Sequence, residues 1–204
     1  MDPKTIAAYA TNATTYSTDW LSQPAPTDMY ELLTNHFISG GVTADIGCGN
    51  GRDANWLGLK GFNVTGYDSS MELILEAKKL YPNIPFNIAN LPKLKEINLQ
   101  FENILCETVL MHLPKSQIIE AITNLKRIMA DGGKMYLSWR VTEGSDLRHI
   151  DGRLYSAFES HFILDQFPKK SILHFEEKIS VSSSGHVCRL IYQHRRQRPT
   201  QARE

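Results

Sequence analysis

The chain has 204 residues, 42% of them hydrophobic and 22% charged, which are ordinary globular proportions that exclude wholesale disorder. Lysine and arginine number 22, as do aspartate and glutamate, so the formal net charge is zero. No global field therefore draws the chain toward nucleic acid or an anionic membrane, and its length suits one domain with a self-sufficient core.

Residues 5–20 read as a short helix and loop carrying Tyr9, Tyr16 and Trp20, and Pro24 and Pro26 break the chain after it. A helix is predicted over Asp28–Phe37 and ends at Gly40-Gly41. Val42–Ile46 is the first strand, Gly47–Gly51 a tight turn, and Arg52–Lys60 a helix closed by Gly61. Asn63–Tyr67 is the second strand, and Ser69 or Ser70 caps a helix carrying Leu73, Ile74, Ala77 and Leu80. Strands follow at Ile84–Ile88 and Phe101–Cys106, with a helix over roughly 116–129. Asp131-Gly132-Gly133 turns the chain into the strand Lys134–Trp139, and a helix is predicted over Ser156–Phe167. Ile172–Val181 and His186–Gln193 close the series as two strands joined at Ser183-Ser184-Gly185.

This alternation predicts an α/β fold: a Rossmann-like, doubly wound, mostly parallel sheet covered by helices, with a C-terminal antiparallel hairpin at one edge. Residues 1–204 read as a single domain, with 1–26 as an N-terminal cover and 194–204 as a flexible, basic tail. Cys48, Cys106 and Cys188 have neither metal-binding nor paired-disulfide spacing, so no metal is expected and a reducing, cytoplasmic setting fits. No apolar run has signal-peptide or bilayer-crossing character, so no membrane partner is expected either.

The sharpest motif is Ala44-Asp45-Ile46-Gly47-Cys48-Gly49-Asn50-Gly51-Arg52-Asp53, which follows a predicted strand and opens a helix. Such a glycine turn lets a ligand approach the backbone and leaves helix-start amides aimed at it. Asp68 ends the next strand, 21 residues after Gly47, where a carboxylate accepts hydrogen bonds from both hydroxyls of a ribose. The third glycine comes one residue earlier than in the dinucleotide fingerprint Gly-x-Gly-x-x-Gly, and Asp45 sits two residues before the first. An anion there disfavours a pyrophosphate and suits the ammonium and sulfonium of S-adenosylmethionine, so charge favours that methyl donor over NAD.

The same motif resembles the cofactor-binding turn of class I S-adenosylmethionine-dependent methyltransferases. The resemblance continues through Val64–Ser70, Asn90-Leu91-Pro92, Phe101–Cys106, Val109–Leu113 and Leu125–Lys134, covering residues 40–140 most closely. It implies a seven-stranded sheet whose last strand is inserted antiparallel. It also implies S-adenosylmethionine as cofactor, with Asp45, Gly47, Cys48, Gly49, Asn50, Gly51 and Arg52 around its methionine portion. Asp68 would hold the ribose, with Ser69 and Met71 beside the adenosine. Asn87 and Ile88 stand where relatives carry an Asp-Ala pair bordering the adenine, so the charge found there in relatives is missing here.

Methyl transfer attacks an already activated carbon, so alignment and exclusion of water matter most, and a base helps only a protonated acceptor. His112 and Glu107, after the fourth strand, are the candidate bases. Helix capping or packing is the competing role for His112, and a hydrogen-bonding loop role for Glu107. Arg153, Tyr155 and Tyr16 are the candidate acceptor contacts. With balanced charge and no appended domain, the expected reaction is transfer to an O or N atom of a small metabolite. RNA or protein methylation, a non-catalytic S-adenosylmethionine-binding regulator and a NAD-dependent oxidoreductase are the alternatives weighed. No feature fixes an oligomeric state.

Overall fold

The computed structural model describes residues 1–195, so most of the predicted tail, 196–204, lies outside the described residues. Three helices open the chain: α1 (Pro3–Thr11), α2 (Ala13–Ser22) and α3 (Thr27–His36). Then come β1 (Val42–Ile46), α4 (Arg52–Leu59), β2 (Asn63–Asp68), α5 (Met71–Leu80), β3 (Phe86–Ile88) and β4 (Phe101–Cys106). After these follow α6 (Lys115–Arg127), β5 (Met129–Arg140), a small ribbon of β6 (Leu147–Arg148) and β7 (Leu154–Tyr155), α7 (Ser160–Leu164), β8 (Ile172–Ile179) and β9 (His186–Gln193).

The main sheet has seven strands in the order β3-β2-β1-β4-β5-β9-β8. The first five run parallel, and β9 inserts antiparallel between β5 and β8. Strand order reverses at β1, where chain connections depart to opposite faces and open a crevice beyond the strands' C-terminal ends. Side-chain alternation divides the interior. Ala44, Ile46, Ile104, Leu137 and Leu190 face α6 and α7, whereas Leu105, Tyr136 and Ile191 share a second core with Met29 and Leu33 of α3 and Ala54 of α4. β8 is the edge strand, and half of its positions are exposed, in strict alternation.

Local chemistry explains the element boundaries. Asp2 caps α1 by accepting from Thr5 N at 2.8 Å, and Pro3 occupies the first turn, where no amide partner is needed. Ser70 caps α5 through Leu73 N. Residues 3–22 form two helices rather than a helix and loop, and the break is at Asn12, whose backbone leaves helical geometry (φ −117°, ψ 24°).

The predicted helix over 156–167 shortens to α7. Ser156 N donates to Met111 O, Ser156 Oγ to Leu113 O and Ala157 N to the Asp146 carboxylate, so tertiary hydrogen bonds hold its first turn extended. β5 begins at Met129 rather than at 134, because a bulge opposite Phe101–Asn103 absorbs the glycine pair. β6 and β7, a ribbon closed at Gly152 (φ 99°), bear no strand pattern long enough to read from sequence.

Candidate active site

The principal cavity lies beyond the C-terminal ends of β1, β2, β4 and β5 and is roofed by α1 and α2. Asp45, Gly47, Cys48, Gly49, Asn50, Arg52, Asp68 and Ser69 all line it, as do Glu107, His112, Arg153 and Tyr155. Five other candidates do not. Gly51 faces Phe86 and Ala77, Met71 and Asn87 point outward, Ile88 packs against the second core, and Tyr16 stands behind Arg153. The residues beyond β3 that reach the cavity are Ala89 and Leu91, one and three positions past the Asn87-Ile88 pair.

The glycine turn differs from its sequence reading in a useful way. A Cβ at Gly49 would lie 2.8 Å from the Trp20 ring, and one at Gly51 would lie 2.5 Å from Phe86. Both residues have positive φ (55° and 80°), so backbone conformation and close protein packing explain them before any ligand does. The amides are also engaged. Gly47 N and Cys48 N donate to Tyr67 O, Gly49 N to Asp68 Oδ2, Gly51 N to Cys48 O, and Arg52 N to Asn50 Oδ1. With these five donors satisfied inside the chain, the turn offers them to no incoming anion.

Four carboxylates surround the turn: Asp45, Asp53, Asp68 and Glu107. Burial, then the charges of Asp53 and Asp68, push Asp45 well above the usual carboxylate range. Its Oδ2 is buried and has no hydrogen-bond partner. Burial likewise raises Asp68, against the pull of the Ser70 and Gly49 amides. Glu107 is raised by burial too, although Ser138 Oγ donates to it at 2.5 Å. The Tyr136 hydroxyl is buried nearby without closing a hydrogen bond. Arg52 is the adjacent cation, but Asp53 already holds it at 3.0 Å. A cationic ligand would relieve this repulsion and give the Asp45 oxygen a partner. The residues present therefore fit the ammonium and sulfonium of S-adenosylmethionine.

His112 is buried with both ring nitrogens engaged. Nδ1 lies 2.6 Å from Leu154 O, an atom that only accepts, so Nδ1 carries the proton. Nε2 consequently accepts from the Tyr9 hydroxyl at 2.9 Å. Burial lowers the imidazole to about 4. The histidine is thus neutral, oriented, and screened by Tyr9.

Arg153 is not free to grip an acceptor. Its Nε and Nη2 each lie 2.8 Å from Asp151 Oδ2, and its guanidinium sits 4.9 Å from the Tyr16 ring centroid and 5.6 Å from that of Tyr9. Tyr16 also donates to Asp151 at 2.8 Å, and burial together with that carboxylate pushes its phenol up to about 12. Arg153, Asp151 and Tyr16 together fasten α1 and α2 to the β6–β7 ribbon.

Several cavity residues escaped the sequence reading as contacts: Val109, Arg140, Ser182 and Ser183. Arg140 had a legible signal, because it ends a strand on the side where ligands gather. The serines had none, since their approach depends on where β9 inserts.

Three comparisons bear on the family. A family model described as a methyltransferase domain matches residues 44–133. A putative methyltransferase of Invertebrate iridescent virus 6 is 25% identical over 146 residues, covering 69% of this chain and 52% of that protein. A ubiquinone biosynthesis O-methyltransferase of Coxiella burnetii is 28% identical over 136 residues, covering 65% and 55%. The chain spans about half the length of these relatives. In fold, it is similar to the Burkholderia thailandensis 1,6-didemethyltoxoflavin-N1-methyltransferase, with a TM-score of 0.72 at 16% identity, covering 93% of this chain and 87% of that one. The β3-β2-β1-β4-β5-β9-β8 sheet is thus shared in fold with a solved methyltransferase, and the glycine turn after β1 and the carboxylate ending β2 both lie within the segment that matches the methyltransferase-domain model.

Proposed function

We propose that this chain binds S-adenosylmethionine in the roofed cavity and transfers its methyl group to an O or N atom of a small molecule. The observation that carries this reading is the partnerless Asp45 oxygen, buried among three further carboxylates beside a turn five of whose amides are engaged within the chain. That arrangement suits a cation and opposes a dinucleotide pyrophosphate. When bound, the cofactor would supply an electrophilic methyl group on a sulfonium, whose sulfur would keep the bonding electron pair as a neutral leaving group.

The chain's own residues bind, align and exclude water. Asp45 faces the donor's positive charge. Asp68 keeps lone pairs for the ribose hydroxyls beyond those given to Gly49 N and Ser70 N. Ala89, Leu91 and Leu73 supply an apolar wall for the adenine. Trp20 and Tyr9, carried by α2 and α1, close the roof. Glu107 is the group placed to accept a proton from an acceptor hydroxyl or ammonium. His112 reaches the acceptor only through Tyr9, so its first role is to orient that hydroxyl. The single-domain reading over 1–204, with 1–26 as cover, belongs to the same proposal.

Calorimetric titration with S-adenosylmethionine, with NAD as control, tests the reading. Binding of the methyl donor alone is expected. Asp68→Ala should weaken it about tenfold or more, the value of a charged acceptor facing two hydroxyls. Affinity should rise with pH, because the cation favours the ionised form of the raised Asp45 carboxyl and its binding expels the proton. Asp45→Asn should reduce that slope. Binding of NAD, or full affinity in Asp68→Ala, would overturn the assignment.

A further inference from the structure

The cavity is lined by both signs of charge. Asp45, Asp53, Asp68 and Glu107 line it, and so does Arg140 at the end of β5. Of the three arginines lining the cavity, Arg52 is paired with Asp53 and Arg153 with Asp151. The Arg140 side chain has no ion pair or hydrogen bond among the described residues. Beside it, the β8–β9 turn brings Ser182 and Ser183 to the same cavity.

Gly185 shapes the recess between them. A Cβ built there would lie 3.3 Å from the Arg140 guanidinium carbon, 3.4 Å from its Nη1, and 3.3 Å from Ser183 Oγ. Glycine is not required there by a left-handed backbone, since Gly185 is absent from the positive-φ residues. Its missing side chain keeps the guanidinium and the hydroxyl open to one another. His112 feels the Arg140 charge but is neutral and committed to Leu154 and Tyr9, so it does not compensate that charge.

We propose that Arg140, with Ser182 and Ser183, forms a subsite for an anionic oxygen group, a carboxylate or a phosphate, on the methyl acceptor. This rests on the methyltransferase reading above. A guanidinium gives such a group two parallel N–H donors, and two hydroxyls supply the remaining ones. The carboxylates then receive the cationic donor and Arg140 the anionic acceptor, so charge assigns each ligand to its own residues. Arg153, the contact expected from sequence, instead secures the roof.

The test follows the arginine Nε–H resonances of the 15N-labelled protein loaded with S-adenosylhomocysteine, with Arg140 assigned by its loss in Arg140→Gln. Benzoate and phenyl phosphate are titrated against neutral benzamide. The Arg140 signal should shift saturably with at least one anion and not with benzamide, and the tighter anion names the group. Gly185→Val should weaken that anion about fivefold or more by filling the recess. Arg140→Gln should bind S-adenosylhomocysteine within about twofold of the parent, since a contact confined to the acceptor leaves the donor site intact. The proposal is overturned if neither anion moves the signal, or if benzamide moves it equally. It is also overturned if Arg140→Gln loses about tenfold or more in S-adenosylhomocysteine affinity, because the arginine would then belong to the donor's carboxylate. Failure of the parent to bind S-adenosylhomocysteine would instead strike the methyltransferase reading, and the same titration on the unloaded protein would still judge Arg140.

Discussion

His112 shows how environment redefines a residue type. An imidazole after β4 invites assignment as a base, yet burial lowers it to about 4 and both nitrogens are engaged. Folding therefore favours its neutral form. Its contribution to stability is fully present above its ordinary value of 6.5 and is lost as pH falls toward 4. The whole effect is about 3 kcal/mol. Denaturant unfolding at pH 7.5, 6 and 4.5 should show a smaller loss across that window in His112→Gln than in the parent. Equal losses would mean that the imidazole already accepts a proton in the folded protein. The carboxylates around the glycine turn change oppositely. Asp45, Asp68 and Glu107 are raised, so folding favours their protonated forms and their contribution is lost as pH rises. The comparison between variant and parent isolates the histidine from them.

At the scale of elements, α1 and α2 are the roof of the site, and their attachment is polar. Asp2 pairs with Arg148 at 2.9 Å, Asn50 donates to the Ser17 carbonyl and hydroxyl at 3.2 Å, and Tyr16 bonds Asp151. The Arg148 hydrogen bond holds Asp2 at about 2. Trp20 adds the apolar seal by lying on Gly49. Gly49→Val therefore combines a positive φ with a clash, at a cost of about 1–3 kcal/mol, most of it local. Hydrogen exchange should accelerate across 13–22 while β4 and β5 keep their protection. An unchanged pattern over α2 would show that Trp20 does not depend on this contact. The N-terminal aromatics were visible in the sequence as a cover, but which residues they meet was not, because their partners on the β6–β7 ribbon lie more than a hundred residues away.

On the scale of the molecule, one fully buried arginine ties the late strands to the early helices. Arg189 of β9 reaches Asp28 of α3 at 2.8 Å and Glu176 of β8 at 3.3 Å, and its Nε and Nη2 have no partner. Removing it leaves Asp28 only Lys178 at 3.5 Å and the Met29 amide, and Glu176 only His174 at 3.6 Å, so Arg189→Met should cost about 1–3 kcal/mol, read as a lower denaturation midpoint at unchanged slope. A midpoint equal to the parent's would show that desolvation of the arginine cancels its pairing. Among the described residues no helix is long and apolar enough to cross a membrane.

What the sequence alone determined is the part written in local chemistry. Strand and helix alternation, the glycine turn, the carboxylate ending β2 and the boundaries of β4 and β9 all follow from periodicity, capping and turn residues close in the chain. Tertiary structure decided the rest. It spent the turn's amides on Tyr67, Asp68 and Cys48, and gave the glycine positions to Trp20 and Phe86. It placed Ala89 and Leu91, rather than Asn87 and Ile88, on the cavity. It also neutralised Arg153 while leaving Arg140 unpaired among the described residues. Those outcomes depend on which distant segments meet, and the local pattern of a chain carries its own conformational preferences but not the identity of its distant neighbours.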